Sequence, residues 1–458
     1  MSASPAGPST APSTAHSVAP PGAYRLLGDE ARLAALAAAG SRLLLLCVAL
    51  ATTYAIGVRE RSLSLRDPAH AEALRGFLGR LLGPWAHWDG VWFVRIAADG
   101  YRAHWDSQAF FPLYPLLVRA LAAGVGDYVV AGLIVSLAAY AGAMVVLFRL
   151  ARAELGPRVA LWSVVLVSVF PTALFFQAVY SEALFLLLTL LAFWWARGGR
   201  WALAGAAGLL AVLTRSTGLL LVLPLAVIWW EQWRSAPLRL PGGPAPRARQ
   251  DGLGACSSAA VVAPAAGEAP RRPARLSWLW ILLVPAGLGI YMAYLWLVFR
   301  QAMLFSAVQA AWGREASLPT TAVWRGTVTA ARALAWLVVH GPAAVLGTRT
   351  ATGGLESDVI ANLLEFAGFA AAVAMLVACW RKLPAAWTLY ALAALVFPLL
   401  YSTEARPLYS LPRFVLVVFP LFVGAAAVLA PRRFWRALVT AVFVVLLVFS
   451  AVLFASFI

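Results

Sequence analysis

Lysine is almost missing from this 458-residue chain. Lys382 stands alone, and arginine supplies the rest of the 36 basic residues, against 19 acidic ones. Charge of either sign is scarce, at 12% of residues, whereas 62% are hydrophobic and mean hydropathy is +0.81. So little charge excludes a soluble domain, which could not bury this much apolar surface; lipid must be the solvent for most of the chain. Strand-like alternation is also lacking, which excludes a barrel. Apolar runs of about twenty residues recur instead, so the expected class is an all-α polytopic membrane protein. The net charge of +17 would suit nucleic acid, but the arginines cluster in short loops between apolar runs. The expected partner is therefore the bilayer, with no nucleic acid. Cysteine is scarce too: Cys47, Cys256 and Cys379 have no neighbours at metal or redox spacing, which predicts neither disulfide nor zinc.

Residues 1–41 read as a disordered cytoplasmic tail, rich in Ser, Pro, Ala and Thr at its start. The remainder, 42–458, reads as one membrane domain opened by an uncleaved anchor. Spans are expected at about 43–58, 128–148, 159–176, 180–196, 201–214, 217–233, 278–299, 359–380, 385–402, 411–430 and 436–457. Two long amphipathic segments, 59–127 and 300–358, interrupt them, and 234–277 is a low-complexity Pro/Gly/Ala/Arg loop. Within the second segment, 333–345 is apolar but short, and is expected to be interfacial or re-entrant. With the N-terminus inside, eleven spans place the excess of arginine on the cytoplasmic side. The same scheme puts the polar motifs on the opposite face.

Most chemistry-bearing residues gather in Trp85 to Pro115, where His87-Trp88-Asp89 is echoed by His104-Trp105-Asp106. Asp89 precedes an apolar-periodic run ending at Asp99-Gly100, which predicts a short helix with glycine at its C-terminal stop. Pro112 and Pro115 predict an extended segment after it. Asp89 has two readings: an N-cap, or a general base in an aromatic surround. The doubled His-x-Asp has a rival reading as a divalent metal site of His87, Asp89, His104 and Asp106. Further along, Glu182 heads a helix after Tyr180-Ser181. It reads either as a partner of the helix dipole or as a carboxylate holding Arg215 or a sugar hydroxyl. Arg215 reads as a phosphate ligand or as an interfacial snorkelling side chain. Arg413, at the mouth of a span, is a second phosphate candidate. Arg300, Arg325, Arg332, Arg349 and Arg406 read as ordinary interfacial residues.

Trp88-Asp89, Ile96-Ala97, Gly100-Tyr101 and Ala109 through Pro115 fall in order, and together they resemble the PIG-V family of multi-spanning mannosyltransferases. Tyr180 to Phe185 and Arg215-Ser216-Thr217-Gly218 extend the resemblance, with Thr217 where the family has Asn. Weaker elements follow at Trp312-Gly313-Arg314 and Leu411 to Phe414. The resemblance implies a GT-C bundle of about 11 transmembrane helices with amphipathic outer-loop helices. It implies inverting transfer of mannose, α-1,6-linked, from a polyprenyl or dolichyl phosphomannose to a hydroxyl of a glycolipid or glycan on the non-cytoplasmic face. In that reading Asp89 is the base, and Arg215 and Arg413 hold the phosphate. His87, Trp88, Trp92, Tyr101, Phe110, Tyr114, Tyr180, Glu182, Trp312 and Arg314 line the donor site, and no cofactor is expected. An arginine- and alanine-rich chain points to a high-GC bacterial genome and a plasma membrane location; a eukaryotic chain would reside in the endoplasmic reticulum. Rival readings are a lipid-linked sugar flippase and a protein O-mannosyltransferase.

Overall fold

A computed structural model describes residues 21–56, 76–103, 106–235, 273–341 and 356–456. Cys256, His104 and nearly all of the 234–277 loop lie outside them. The described residues are almost wholly helical. Their only strands are Glu315–Ala316 and Tyr401–Ser402, two residues each, paired antiparallel. Five helices are long and apolar enough to cross a membrane: Gly28–Ala55, Tyr128–Leu155, Ser277–Phe299, Ala361–Cys379 and Arg433–Ala455. Shorter apolar helices, among them Pro157–Val169, Trp201–Thr214, Ala385–Leu400 and Phe419–Leu429, pack between these. The chain is an all-α polytopic membrane protein.

The first helix corrects one expectation. It starts at Pro21 rather than near residue 42, so residues 21–41 are not a disordered tail. Alanine dominates this stretch and is the strongest helix former, and Ala34, Ala38 and Ser41 are buried against the bundle. Arg42 follows, also buried. Its guanidinium donates to the carbonyls of Ser168 (2.9 Å) and Ala173 (2.7 Å) and lies 4.6 Å over the Tyr140 ring. Ser168 is in the last turn of Pro157–Val169, where carbonyls lack intrahelical donors and carry the negative end of the dipole, so a cation is well placed there.

Several apolar segments are broken, and the breaks have local causes. Pro157–Val169 ends at Phe170, held extended (ψ 143°) because the next residue is Pro171; a short 3₁₀ turn, Ala173–Phe176, follows. Trp201–Thr214 ends at Arg215, which is extended, before a 3₁₀ turn over Ser216–Leu221. Gly218 is required here, because a Cβ would come within 2.5 Å of the Val212 nitrogen. The last such break separates Leu411–Leu416 from Phe419–Leu429, each carrying a proline in its first turn.

Two expectations in the amphipathic segments also change. The Phe-Phe-Pro-Leu-Tyr-Pro stretch is not extended: Leu113–Val125 is a helix, and Pro115 is tolerated because first-turn N–H groups have no intrahelical acceptor. The short apolar piece at 333–345 falls in a 22-residue helix, Pro319–His340, which is not among the five candidate spans. Its remainder, 342–345, lies outside the described residues.

Candidate active site

Asp89 is the first residue of the helix Asp89–Asp99, and it does not cap that helix. The cap position belongs to Trp88, whose side chain makes no capping bond. The Asp89 carboxylate instead accepts from Arg413 at 2.5 Å, across 324 residues of chain. Trp88 sits at φ 56°, ψ −124°, a backbone region that bulky residues rarely enter. Tyr180 brackets this turn: its hydroxyl accepts from the Asp89 N–H (3.1 Å) and donates to the His87 carbonyl (3.2 Å).

Glu182 opens the helix Glu182–Arg197 and likewise makes no capping bond. Its Oε1 accepts from Arg215 Nη1 at 2.6 Å and lies 3.3 Å from Arg413 Nε. Its Oε2 is buried with no hydrogen-bond partner among the described residues. Arg215 is 14% exposed and paired, so the snorkelling reading fails. The result is a chain of alternating charge, Asp89–Arg413–Glu182–Arg215, assembled from four separate segment ends. Glu182 is 1% exposed, whereas the Asp89 side chain is 27% exposed and reachable.

Arg314 is brought to the same place from the second amphipathic segment. The ladder between Glu315–Ala316 and Tyr401–Ser402 ties that segment to the 401–413 loop, and Arg314 lies 5.5 Å over the Tyr409 ring. Burial, and then the positive field of Arg413, hold its guanidinium below the ordinary arginine range; Asp89 opposes them. Three guanidiniums thus face two carboxylates, which leaves the site net positive and suited to an anion.

Trp92, Phe110 and Trp312 form an aromatic wall beside the charged chain. Trp92 stacks on Phe110 at 6.1 Å and meets Trp312 edge-on at 5.3 Å, joining the two amphipathic segments. Trp88 is 47% exposed. Other expected lining residues are core instead. Tyr114 is fully buried, its hydroxyl bonded to the Gly132 carbonyl and Ser136. Tyr101 is buried beside Tyr291 and donates to the Phe110 carbonyl (2.7 Å). His87 and Tyr180 are buried, with His87 packed on Phe454. Tyr101 and Tyr114 thus pack behind the wall, while His87 and Tyr180 hold the turn that presents Asp89. No three His, Cys, Asp or Glu side chains among the described residues gather as metal ligands; Asp106 lies in a left-handed turn (φ 69°), and His104 is outside the described residues.

Comparison with known proteins bears on the same residues. Residues 35–228 match the family model of the mannosyltransferases (PIG-V). A 162-residue stretch is 27% identical to GPI mannosyltransferase 2 of Drosophila melanogaster, covering 32% of this chain and 36% of that protein. A 110-residue stretch is 31% identical to the protein of the same name from Drosophila pseudoobscura pseudoobscura, covering 22% of this chain and 24% of that protein. The aligned stretches thus span roughly a third and a quarter of these curated relatives. No solved structure matches the chain. The PIG-V match contains Asp89, Tyr180, Glu182 and Arg215 and ends before Arg314 and Arg413. The charged chain is therefore completed by residues outside the matched region.

Two polar groups were not marked by sequence reasoning. Arg42 hid at the supposed edge of the tail. Glu365, in the helix Glu356–Cys379, pairs with Arg406, which had read as interfacial. A carboxylate inside an apolar span was the available signal, since such groups are costly unless partnered.

Proposed function

We propose that the protein is a membrane mannosyltransferase of the GT-C type, moving mannose from a polyprenyl phosphomannose to a hydroxyl on a glycolipid or glycan. The alternating chain Asp89–Arg413–Glu182–Arg215 carries this reading, and all of it but Arg413 lies in the region that matches the PIG-V model. An acceptor hydroxyl is a poor nucleophile, so a carboxylate must take its proton as the new bond forms. Asp89 is the reachable carboxylate and serves as that base. The acceptor oxygen bonds to C1 of the mannose, while the C1–O bond to phosphate breaks and its electron pair leaves with the phosphate. Arg413, Arg215 and Arg314 meet that growing negative charge, a stabilisation worth more in the transition state than in the ground state. A single displacement inverts the anomeric centre, giving an α-mannoside from a β-linked donor.

The same geometry gives Arg413 two competing acceptors. Without donor it is bound by Asp89; a donor phosphate offers it a stronger bidentate partner and releases the Asp89 oxygen for the acceptor hydroxyl. Reaction on the non-cytoplasmic face and an α-1,6 linkage belong to this proposal. Asp89→Asn keeps an oxygen for Arg413 but removes the base. With purified protein, polyprenyl phosphomannose and a panel of acceptors, it should turn over at least about a hundredfold more slowly than wild type. Turnover within a few-fold of wild type would remove Asp89 from the mechanism.

A further inference from the structure

Arg413 closes the charged chain, yet it lies outside the matched region on a six-residue helix, Leu411–Leu416, that cannot hold its own position. Something must place it. One face of the helix Glu356–Cys379 does so at three successive turns. Asn362 donates to the Ala405 carbonyl at 3.2 Å. Glu365 Oε1 accepts from the Arg406 guanidinium and, at 2.9 Å, from the Ser410 N–H. At Gly368 a Cβ would come within 2.6 Å of the Pro412 ring, so only glycine lets this helix backbone lie against the residue before Arg413.

The loop between is built for the same contact. Thr403 bonds both the N–H and the carbonyl of Arg406, and the Arg406 guanidinium lies 4.5 Å over the Tyr409 ring. Ser410 is left-handed (φ 61°), an uncommon state for a residue other than glycine, and its N–H is the one Glu365 holds. Its carbonyl then accepts from the Arg413 N–H at 3.0 Å. From the other side, the Thr172 hydroxyl donates to the Pro412 carbonyl at 3.0 Å.

An ion pair with its carboxylate buried, as Glu365 is here, is a poor device for stability, since apolar side chains of similar size commonly do as well. It is a good device for fixing one geometry. We propose that Glu365 is a positioning residue: through the Ser410 N–H and Arg406 it sets the short helix so that the Arg413 guanidinium reaches Asp89 and Glu182. It touches no reacting atom. The kinetic half of its test rests on the mannosyltransferase reading; the chemical half does not.

The test uses the full chain in detergent, with Glu365→Ala and with Glu365→Gln, which keeps an oxygen for Ser410 and Arg406. Phenylglyoxal modification of Arg413, followed by peptide mass spectrometry at a temperature where all variants remain folded, reads the position of Arg413 directly. Glu365→Ala should raise its modification rate about fivefold or more, and Glu365→Gln should raise it less. In the transfer assay, kcat/KM for polyprenyl phosphomannose should fall about tenfold in Glu365→Ala, with partial recovery in Glu365→Gln. Added to Arg413→Ala, Glu365→Ala should cause no further loss, because both act through one group. Unchanged Arg413 reactivity, or losses that multiply in the double variant, would overturn the proposal. If reactivity rises as expected while wild type itself transfers no mannose, the positioning role stands and the transferase reading falls.

Discussion

Trp88 is the residue at which backbone and chemistry meet. Its φ of 56° turns the chain so that the next carboxylate faces Arg413, and Tyr180 holds both sides of the turn. A bulky residue in this region stores about 1–3 kcal/mol of strain, which persists only where the surroundings enforce it. The usual order of substitution should therefore invert. Trp88→Gly relieves the strain, whereas Trp88→Ala keeps it; both lose the same half-exposed ring. In thermal unfolding in detergent, the glycine variant should be more stable than the alanine variant by about 1 kcal/mol. Equal stability, or a more stable alanine variant, would mean that the turn is unstrained. Neither φ nor strain was visible in the sequence, although Asp89 was. A lone acid between aromatics shows its chemistry in one letter, but tyrosine does not: Tyr114 in the core and Phe110 on the wall occupy one motif and differ only in which way they point.

Among elements, the interrupted helices do the positioning. Arg215 stands where Trp201–Thr214 stops, so its place depends on how that helix packs on Ser277–Phe299. Small residues make the contact. A Cβ at Gly205 would come within 2.1 Å of the Trp280 carbonyl, and one at Gly287 within 2.6 Å of the Leu209 carbonyl. Gly289, two residues on, has open space. Gly205→Ala must push the segments apart, at a cost of about 1–3 kcal/mol, and should weaken transfer by shifting Arg215. Gly289→Ala should be neutral or slightly stabilising, because alanine is the better helix former. Thermal unfolding of the two variants side by side checks this; equal loss would show that close packing at Gly205 is unimportant. The five long apolar helices were legible because hydropathy reports them directly. The breaks carry a local signal only at prolines such as Pro171 and Pro420. The one at Arg215 carries no proline, and only Gly218 hints at it. The Glu365–Arg406 pair joins residues 41 apart, and no local pattern in the chain announces such a partner.

At the scale of the whole molecule, the balance of arginine and acid differs from one inter-span segment to the next. Segments 149–158, 197–200, 234–277, 381–382 and 432–433 carry 16 basic residues against three acidic ones, whereas 59–127 and 300–358 carry 13 against ten. The positive-inside rule then predicts those basic loops in the cytoplasm and the site on the opposite face, with the C-terminus outside. The prediction is open to cysteine labelling of intact cells. The native thiols must go first, and their replacements are constrained: a Cβ at Gly424 would lie within 2.2 Å of Cys379 Sγ, so Cys379→Ala fits where a larger side chain would not. Cys47 is exposed, so Cys47→Ala is the corresponding choice in the first helix. In that background, a cysteine at Ala245 should resist an impermeant maleimide until the cells are opened, while one at Ser317, beside the Arg314 ladder, should react at once. Labelling of Ala245→Cys in intact cells, or protection of Ser317→Cys, would invert the orientation. The donor would then have to be used from the cytoplasmic leaflet, and the arginine bias would need an explanation other than topology.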